Sequence, residues 1–527
     1  MEGFLVRELK NFEYTILDSL KDQESSIIKR ARRQETQRAI VDTTALVNES
    51  DESGETVWHN WAGNISFKPD KIFYPKSVED LKSYVKSAQK NGKKIRCAAE
   101  GHSWSSLSMT NDYLVILNNM DKIDIEKRDD GYVVHAEAGA QISQIDKALE
   151  RNNPPLTITS MTVLDNVRIG GVVATGSHGA KFEARTIVDQ VVGLQIVTGD
   201  GELHEFSDEK NRDEMEAARV SLGLLGIMSR VTLRVEPMYD LRMTDTYPLK
   251  SKFDSAAIRD LVKNSDGIEI FYWPFNTLTK DHLISKETER LRIKRWTKST
   301  DPVTLNELQQ LFLRIAQDAS TKIAHHFYQE ILNSPEKTPL IANLAGKVKL
   351  VEHNDVWSAP DAIHYQAGID NLPCEDLEFA IKADKDFENV ITEIDYIFNR
   401  IFEYAKKGQY PLNLVVEIRI TKSSSAILSD AYDKDPDAYY FFIEVLSIKD
   451  TPLFKEFSIE LAQRWMQKYN ARPHWAKSWE YVPNITQYLH EQLGERAKKF
   501  EAVRAKYDPN GIFFDNESLK QVIYGTK

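Results

Sequence analysis

The stretch Ile95-Arg96-Cys97-Ala98-Ala99-Glu100-Gly101-His102-Ser103-Trp104-Ser105 joins a mostly apolar run to a turn that begins at a glycine. Residues 95–99 have the composition of a buried strand, and Gly101 lets the backbone turn tightly enough for a ligand to approach it. His102 would stand beside that ligand. A histidine after a glycine is more often a turn residue that is hydrogen-bonded to the backbone, so this stretch alone does not establish a ligand-binding site.

A second glycine-rich segment follows at Ile169-Gly170-Gly171-Val172-Val173-Ala174-Thr175-Gly176-Ser177-His178-Gly179. Its glycines leave backbone N–H groups open, which suits a pyrophosphate. The segment has neither the G-x-G-x-x-G pattern of a Rossmann turn nor the Gly-Lys-Ser/Thr of a P-loop. We expect it to form a loop between two strands.

Together the two segments resemble the PCMH-type FAD-binding domain of the vanillyl-alcohol oxidase superfamily. Within that superfamily they are similar to the branch of the sugar-1,4-lactone oxidases (L-gulonolactone and D-arabinono-1,4-lactone oxidase) and alditol oxidase. The resemblance extends to further stretches of the chain, namely Asn60 to Asn64, Pro75 to Leu81, Leu222 to Met228, Arg472 to Lys477 and Asp508 to Phe513.

The resemblance implies an α+β fold, with a two-subdomain PCMH-type FAD-binding domain and a substrate domain whose antiparallel sheet is covered by helices. We place a helical extension and linker at 1–56, the FAD-binding domain at 57–237, the substrate domain at 238–493 and a C-terminal return to the FAD domain at 494–527. Hydrophobic periodicity in the substrate domain predicts helices over 306–332 and 386–407 and strands over 268–273, 377–383, 412–421 and 439–447.

The resemblance also implies which residues bind FAD, and His102 would attach covalently to the flavin 8α-methyl group. The residues carried over to the cofactor site are Gly101, His102, Ser103, Ser105, Gly170, Gly171, Thr175, Gly176, His178, Gly179 and Ile227. No metal is expected.

Glu417 and Arg419 are charged residues in the otherwise apolar strand Leu412 to Ile420. Period-two alternation puts both side chains on one face, and burying them without partners is costly. They therefore pair with each other as a structural ion pair or meet a polar ligand. The family resemblance favours the second reading, in which Arg419 stabilises charge on the substrate oxygen and Glu417 accepts hydrogen bonds from substrate hydroxyls.

Lys477, in Pro473-His474-Trp475-Ala476-Lys477, is the third catalytic candidate. An extended segment after Pro473 would put Lys477 and Trp475 on one face and His474 on the other. In a dry pocket beside Arg419 its ammonium form would be disfavoured, and the neutral amine would help to remove the hydroxyl proton. A surface lysine near a turn and a packing role for His474 are the ordinary alternatives.

The expected substrate is a sugar lactone, a polyol or a related hydroxylated molecule. Val163 stands where the family has a substrate-binding serine, and Glu444 is the nearest polar group to the position of a histidine in alditol oxidase. Thr162, at the family's gate position, would slow the reaction with oxygen because threonine is β-branched. The resemblance itself favours molecular oxygen as acceptor. A dehydrogenase with another acceptor and a catalytically silent flavoprotein scaffold are the alternatives.

Composition sets the remaining expectations. A chain of 527 residues is too long for a single hydrophobic core, which predicts two or more domains. Its net charge of −12 disfavours nucleic acid as a partner. Two cysteines, Cys97 and Cys374, exclude a disulfide scaffold and are expected to be inert. We find no signal-peptide pattern and no apolar run long enough for a membrane span, so we expect a cytoplasmic protein. Residues 1–50 have an apolar helical face that would cover the catalytic core or support self-association.

Overall fold

The computed structural model of the protein describes residues 49–50, 56–279, 283–304, 314, 317, 321, 330–349, 354–364, 368 and 371–525. The predicted helical extension and association arm in residues 1–50 lie outside the described residues, apart from 49–50. Most of the helix predicted over 306–332 also lies outside them.

Described α-helices occur in both halves of the chain. In chain order they are α1 (Val78–Asn91), α2 (Ile142–Glu150), α3 (Ile169–Ala174), α4 (Arg212–Arg219), α5 (Ser255–Asn264), α6 (Thr338–Lys349), α7 (Ala359–Ile363), α8 (Glu388–Ala405), α9 (Phe454–Tyr469), α10 (Ile485–Leu493), α11 (Glu495–Tyr507) and α12 (Glu517–Tyr524). None of these helices meets the length and hydropathy needed to cross a membrane.

The first half of the chain builds three separate sheets in the described residues. Its strands are β1 (Glu49–Ser50), β2 (Thr56–His59), β3 (Ser66–Phe67), β4 (Lys71–Phe73), β5 (Ile95–Ala98), β6 (Tyr113–Ile116), β7 (Ile123–Arg128), β8 (Gly131–Glu137), β9 (Leu156–Ile158), β10 (Val191–Val197), β11 (Leu203–Ser207) and β12 (Ile227–Pro237). Strands β4, β6 and β5 pair in parallel, whereas β11, β10, β12, β8 and β7 form an antiparallel sheet to which β9 is added through β12.

The second half builds one antiparallel sheet. Its strands are β13 (Asp240–Thr246), β14 (Gly267–Tyr272), β15 (Arg292–Ser299), β16 (Asn354–Ser358), β17 (Cys374–Lys382), β18 (Val415–Lys422), β19 (Tyr439–Ile448) and β20 (Arg472–Pro473). They lie in the order β16-β13-β15-β14-β18-β19-β17-β20. This sheet lies in the predicted substrate domain, and we call it the substrate sheet after that prediction. It confirms the α+β class and the strands that the sequence predicts in this region, with bounds shifted by a few residues.

The two faces of the substrate sheet differ in chemistry. Val416, Ile418 and Ile420 of β18 are buried on one face, where Ile394 and Ile397 of α8 pack against the first two. Successive strand residues point to opposite faces, so Glu417 and Arg419 lie on the other face. The helices thus cover the apolar face and leave the charged face to the first half of the chain.

The C-terminal segment returns to the first half of the chain at β5. The amide of Ile95 donates to the carbonyl of Ile512 (3.0 Å), and the buried guanidinium of Arg96 donates to the carbonyls of Phe513, Leu107 and Leu222. These bonds fix the strand that leads into the turn at Gly101. The position of His102 therefore depends on residues more than 400 positions away in the sequence.

Candidate active site

A cavity separates the glycine-rich turns of the first half from the charged face of the substrate sheet. Its wall contains residues from both predicted cofactor segments together with Thr162, Val163, Glu378, Arg419, His474 and Lys477. The structure therefore brings the predicted cofactor and catalytic residues to one place.

The turn after β5 presents His102 to this cavity. Gly101 has a φ of 71°, in the left-handed region that favours glycine. The His102 ring stacks on Trp61 with ring centroids 5.2 Å apart, and Gly101, His102 and Ser103 all line the cavity. Ser105 does not line it, because its hydroxyl donates to the carbonyl of Trp475 at 2.6 Å. Ser105 therefore holds the turn in place and does not face the cavity.

The second glycine segment differs from its predicted form. We expected a loop between strands, but residues 169–174 form the short helix α3. Gly170 permits this because a Cβ there would lie 2.7 Å from the Cβ of Ala138, so the helix packs closely on the strand end. Gly171 has no atom within 4 Å of such a Cβ, and it lines the cavity.

The other residues predicted to contact the cofactor divide into two groups. Thr175 and His178 line the cavity. Gly176, Gly179 and Ile227 do not. Gly176 has a φ of 75°, and a Cβ on Gly179 would lie 2.6 Å from the carbonyl oxygen of Met161. These glycines shape the turn, and Ile227 is buried beside the cavity-lining Gly226.

Arg419 is surrounded by carboxylates. Its Nε donates to Glu417 at 2.5 Å and a terminal nitrogen donates to Glu444 of β19 at 2.9 Å. The pKa of Arg419 is raised well above its ordinary value, because these carboxylates and Glu378 outweigh the effect of burial. Arg419 lines the cavity but Glu417 does not. The ion pair predicted as the structural alternative is present, and its cationic member still faces the cavity.

The surroundings of Lys477 contradict the protonation state that the sequence predicts for it. We expected its ammonium form to be disfavoured by burial, but Nζ bonds to Asp376 at 2.5 Å and to Glu444, and it lies 4.0 Å from Glu378. Burial lowers the pKa of Lys477, but these carboxylates outweigh it and the pKa is raised above its ordinary value. Lys477 is therefore a fixed cation that donates hydrogen bonds, and it is not a base in this arrangement.

The strand alternation predicted after Pro473 is also wrong. The strand ends at Pro473, and a turn closes with the amide of Lys477 donating to the carbonyl of His474 at 3.1 Å. His474 and Lys477 consequently line the same cavity, whereas Trp475 points away and donates to the carbonyl of Leu428. Burial lowers the pKa of His474 to about 3, so its ring is neutral.

Glu378 of β17 is a cavity residue that the sequence prediction missed. Its carboxylate lies 3.0 Å from Nε2 of His178, whose ring stacks on Phe442 with centroids 3.5 Å apart. Possible ligand atoms of His178, Glu378 and His474 lie within 4.8 Å of one another, which is compatible with a metal ion, but the ammonium of Lys477 nearby opposes a second cation. Glu378 could have been found by the rule that singled out Glu417, since it interrupts the apolar run Leu377 to Ile381.

The loop that contains Thr162 and Val163 forms another part of the wall. The Thr162 hydroxyl donates to the carbonyl of Leu164 at 2.6 Å, and Nδ1 of His364 donates to the carbonyl of Val163 at 3.2 Å. The Thr162 hydroxyl is thus already engaged in a hydrogen bond to the backbone.

Cys97 also lines the cavity. Burial raises the pKa of its thiol to about 12, which agrees with an inert cysteine.

The structure fits a bound dinucleotide at the glycine segments. Gly171 leaves open space where a side chain would stand, and backbone at the start of α3 faces the cavity, as phosphate binding requires. Arg168 adds a buried cation beside it, bonded to Glu100 at 2.5 Å. His102 lies in the same wall. This arrangement provides a place for FAD between the turns and the substrate sheet.

Comparisons with known proteins agree with this geometry. Residues 69–207 match the family model of the FAD binding domain, and residues 231–522 match that of D-arabinono-1,4-lactone oxidase. L-gulonolactone oxidase of Bos taurus is 25% identical over 481 residues, covering 89% of this chain and 98% of the relative. D-arabinono-1,4-lactone oxidase of Saccharomyces cerevisiae is 24% identical over 540 residues, covering 88% and 95%.

Two further matches are to a relative named as a dehydrogenase and to a solved structure. L-gulono-1,4-lactone dehydrogenase of Mycobacterium tuberculosis is 22% identical over 467 residues, covering 89% of this chain and 99% of the relative. A crystal structure of cholesterol oxidase from B. sterolicum superposes with a TM-score of 0.78 at 19% identity, covering 89% of this chain and 97% of the other. The second match shows a shared fold.

Paired glycine substitutions test the cofactor segment. Gly171→Ala should leave the unfolding temperature of the FAD-free protein unchanged but lower the flavin absorbance per protein, because the new methyl group enters the cavity. Gly170→Ala should instead lower the unfolding temperature itself, because its Cβ would overlap Ala138. Full flavin content in Gly171→Ala would contradict the placement of FAD at this helix.

Proposed function

The chain belongs to the D-arabinono-1,4-lactone oxidase family, whose model matches more than half of it, and from this we propose that it oxidises an alcohol carbon of a sugar-1,4-lactone. The observation that carries the proposal is that Arg419 and Lys477 line the same cavity as His102 and Gly171. FAD, when bound, supplies the chemistry of hydride acceptance. The protein supplies position and charge.

Arg419 and Lys477 bind and polarise the substrate oxygen in this proposal. Both remain protonated, because carboxylates from neighbouring strands outweigh the effect of burial on each pKa. Each keeps 14% of its side-chain surface exposed. Fixed cations of this kind stabilise negative charge that develops on an oxygen without having to reorganise. Glu417 and Glu444 hold Arg419 in its orientation.

We further propose a covalent bond between His102 and the flavin. The support is that His102 lines the cavity and that its ring is held against Trp61. Self-association through residues 1–50 and a cytoplasmic location stay predictions, since both rest on the sequence alone.

Arg419→Met is expected to slow flavin reduction by a sugar-1,4-lactone at least ~100-fold, the usual loss for one positioned electrostatic group. Flavin content should be unchanged, because Arg419 belongs to the substrate sheet. Rapid-mixing measurement under anaerobic conditions gives the rate, with L-gulono- and D-arabinono-1,4-lactone as probes.

Arg464→Met is the matched control for Arg419→Met. Arg464 also pairs with a buried carboxylate, Glu393, at 2.8 Å, but the pair joins α8 to α9 on the helix-covered side of the sheet. The Arg464→Met substitution should lower the unfolding temperature and leave the rate of flavin reduction unchanged. If Arg419→Met behaves in the same way, the Glu417–Arg419 pair is only structural.

His102→Ala should release all of its flavin on acid precipitation, whereas the unmodified protein should keep its yellow colour and show flavin fluorescence in a denaturing gel. His135→Ala is a suitable control, since His135 pairs with Glu126 on the surface of the same half. Free flavin from the denatured wild-type protein would refute the covalent bond without affecting the proposed oxidation.

We propose molecular oxygen as the acceptor, supported by the oxidase names of several relatives. The reduced wild-type enzyme should be reoxidised by oxygen in rapid mixing, and Thr162→Gly should react faster because it opens the cavity wall. Val163→Ala, which alters the adjacent wall residue, is the control. Reoxidation by a dye but not by oxygen would identify a dehydrogenase, and equal rates in the two variants would remove Thr162 as a gate.

A further inference from the structure

A row of charged side chains continues across the substrate sheet beyond Arg419, away from the cavity. Glu269 of β14 is the cross-strand partner of Arg419, Lys294 of β15 is the partner of Glu269, and Asp245 of β13 is the partner of Lys294. Directly opposed residues in an antiparallel pair have Cβ atoms about 5 Å apart and share a face. The row therefore connects the guanidinium at the cavity wall to charges two and three strands away.

This row is deeply buried. Glu269 is 1% exposed, Lys294 0% and Asp245 2%, and Asp245 is held by two bonds from Arg292 at 3.1 and 2.7 Å. None of these four residues lines the cavity, so none of them touches a substrate there. Any influence on the reaction must pass through Arg419.

We propose that Glu269 and Lys294 are positioning residues for Arg419: Glu269 is a further carboxylate that faces Arg419, from β14, and Lys294 controls whether that carboxylate is ionised. The proposal rests on the role proposed for Arg419. When Glu269 is ionised, the charge of the guanidinium is shared among Glu417, Glu444, Glu378 and Glu269. When Glu269 is protonated, more of the positive charge is available to the substrate oxygen.

The charges that face Glu269 make this change occur near neutral pH. Burial and the negative charge of Glu417 raise its pKa to about 7, and Lys294, Arg419 and Arg292 act in the opposite direction. The pKa of Lys294 is lowered well below its ordinary value, because burial and Arg292 outweigh the carboxylates of Glu269, Asp245 and Glu417. Replacing Lys294 removes the group on β15 that lowers the pKa of Glu269, so Glu269 should keep its proton to higher pH.

The test is the pH profile of flavin reduction by saturating lactone in single turnovers. The wild-type rate should be higher on the acid side of an ionisation near neutrality. Glu269→Gln should remove this ionisation and keep the acid-side rate across the range. Lys294→Met should move the ionisation upwards by about one pH unit or more.

Glu393→Gln is the matched control. Glu393 is as buried as Glu269 and accepts two bonds from Arg464 at 2.8 Å, but it lies on α8, on the other side of the sheet. This variant should lose stability and keep the wild-type pH profile. A stability loss alone therefore cannot produce the result expected for Glu269→Gln.

A second measurement does not depend on turnover. Infrared titration should show a protonated carboxyl band that disappears through neutral pH, and the difference between the wild type and Glu269→Gln isolates Glu269 from Glu289 and Asp430, whose pKa burial also raises to about 7. Should Glu269→Gln fail to fold, the upward shift of both the band and the rate profile in Lys294→Met decides.

Superimposable profiles for the wild type, Glu269→Gln and Glu393→Gln would overturn the positioning role, as would an unshifted transition in Lys294→Met. If Arg419→Met is slow while these profiles coincide, the proposed function stands and only the inference fails. If Arg419→Met reduces flavin at the wild-type rate, the proposed function and the inference fail together.

Discussion

Charge neutralisation on the buried face of the substrate sheet is the constraint on which the candidate site depends. Arg419 and Lys477 stand among Glu417, Glu444, Glu378 and Asp376, and each of these side chains is mostly or wholly removed from solvent. An unpaired charge in such surroundings costs several kcal/mol. The position of each charged side chain is therefore fixed by its neighbours, and the cations that face the cavity are held rigidly without any ligand.

The same constraint joins the two halves of the chain. Glu378 of the substrate sheet pairs with His178 of the second glycine segment, and Trp104, beyond the first glycine turn, donates to the carbonyl of Cys374 at the start of β17. The ammonium of Lys477 lies 4.6 Å above the ring of Trp104. The segments that would hold FAD thus also set the position of the charged strands.

The sequence predicts what depends on local pattern. The strand before Gly101, the strands of the substrate sheet and the shared face of Glu417 and Arg419 all follow from composition and period-two spacing. The short helix at 169–174 was missed because glycine disfavours helices, and only the close contact with Ala138 accounts for it. The surroundings of Lys477 were missed because its carboxylate partners lie 33 and 101 residues away in the sequence.

The protonated state of Lys477 changes how the site must work. A neutral amine would have made the reaction depend on the strength of a base, but the carboxylates around Lys477 raise its pKa and keep its charge permanent. Arg419 is equally permanent, and burial keeps His474 neutral. Because none of these three groups changes its protonation near neutral pH, a pH dependence of the reaction must originate in other groups of the protein. The electrostatics at the cavity wall are therefore set by residues that lie behind it as well as by those that line it.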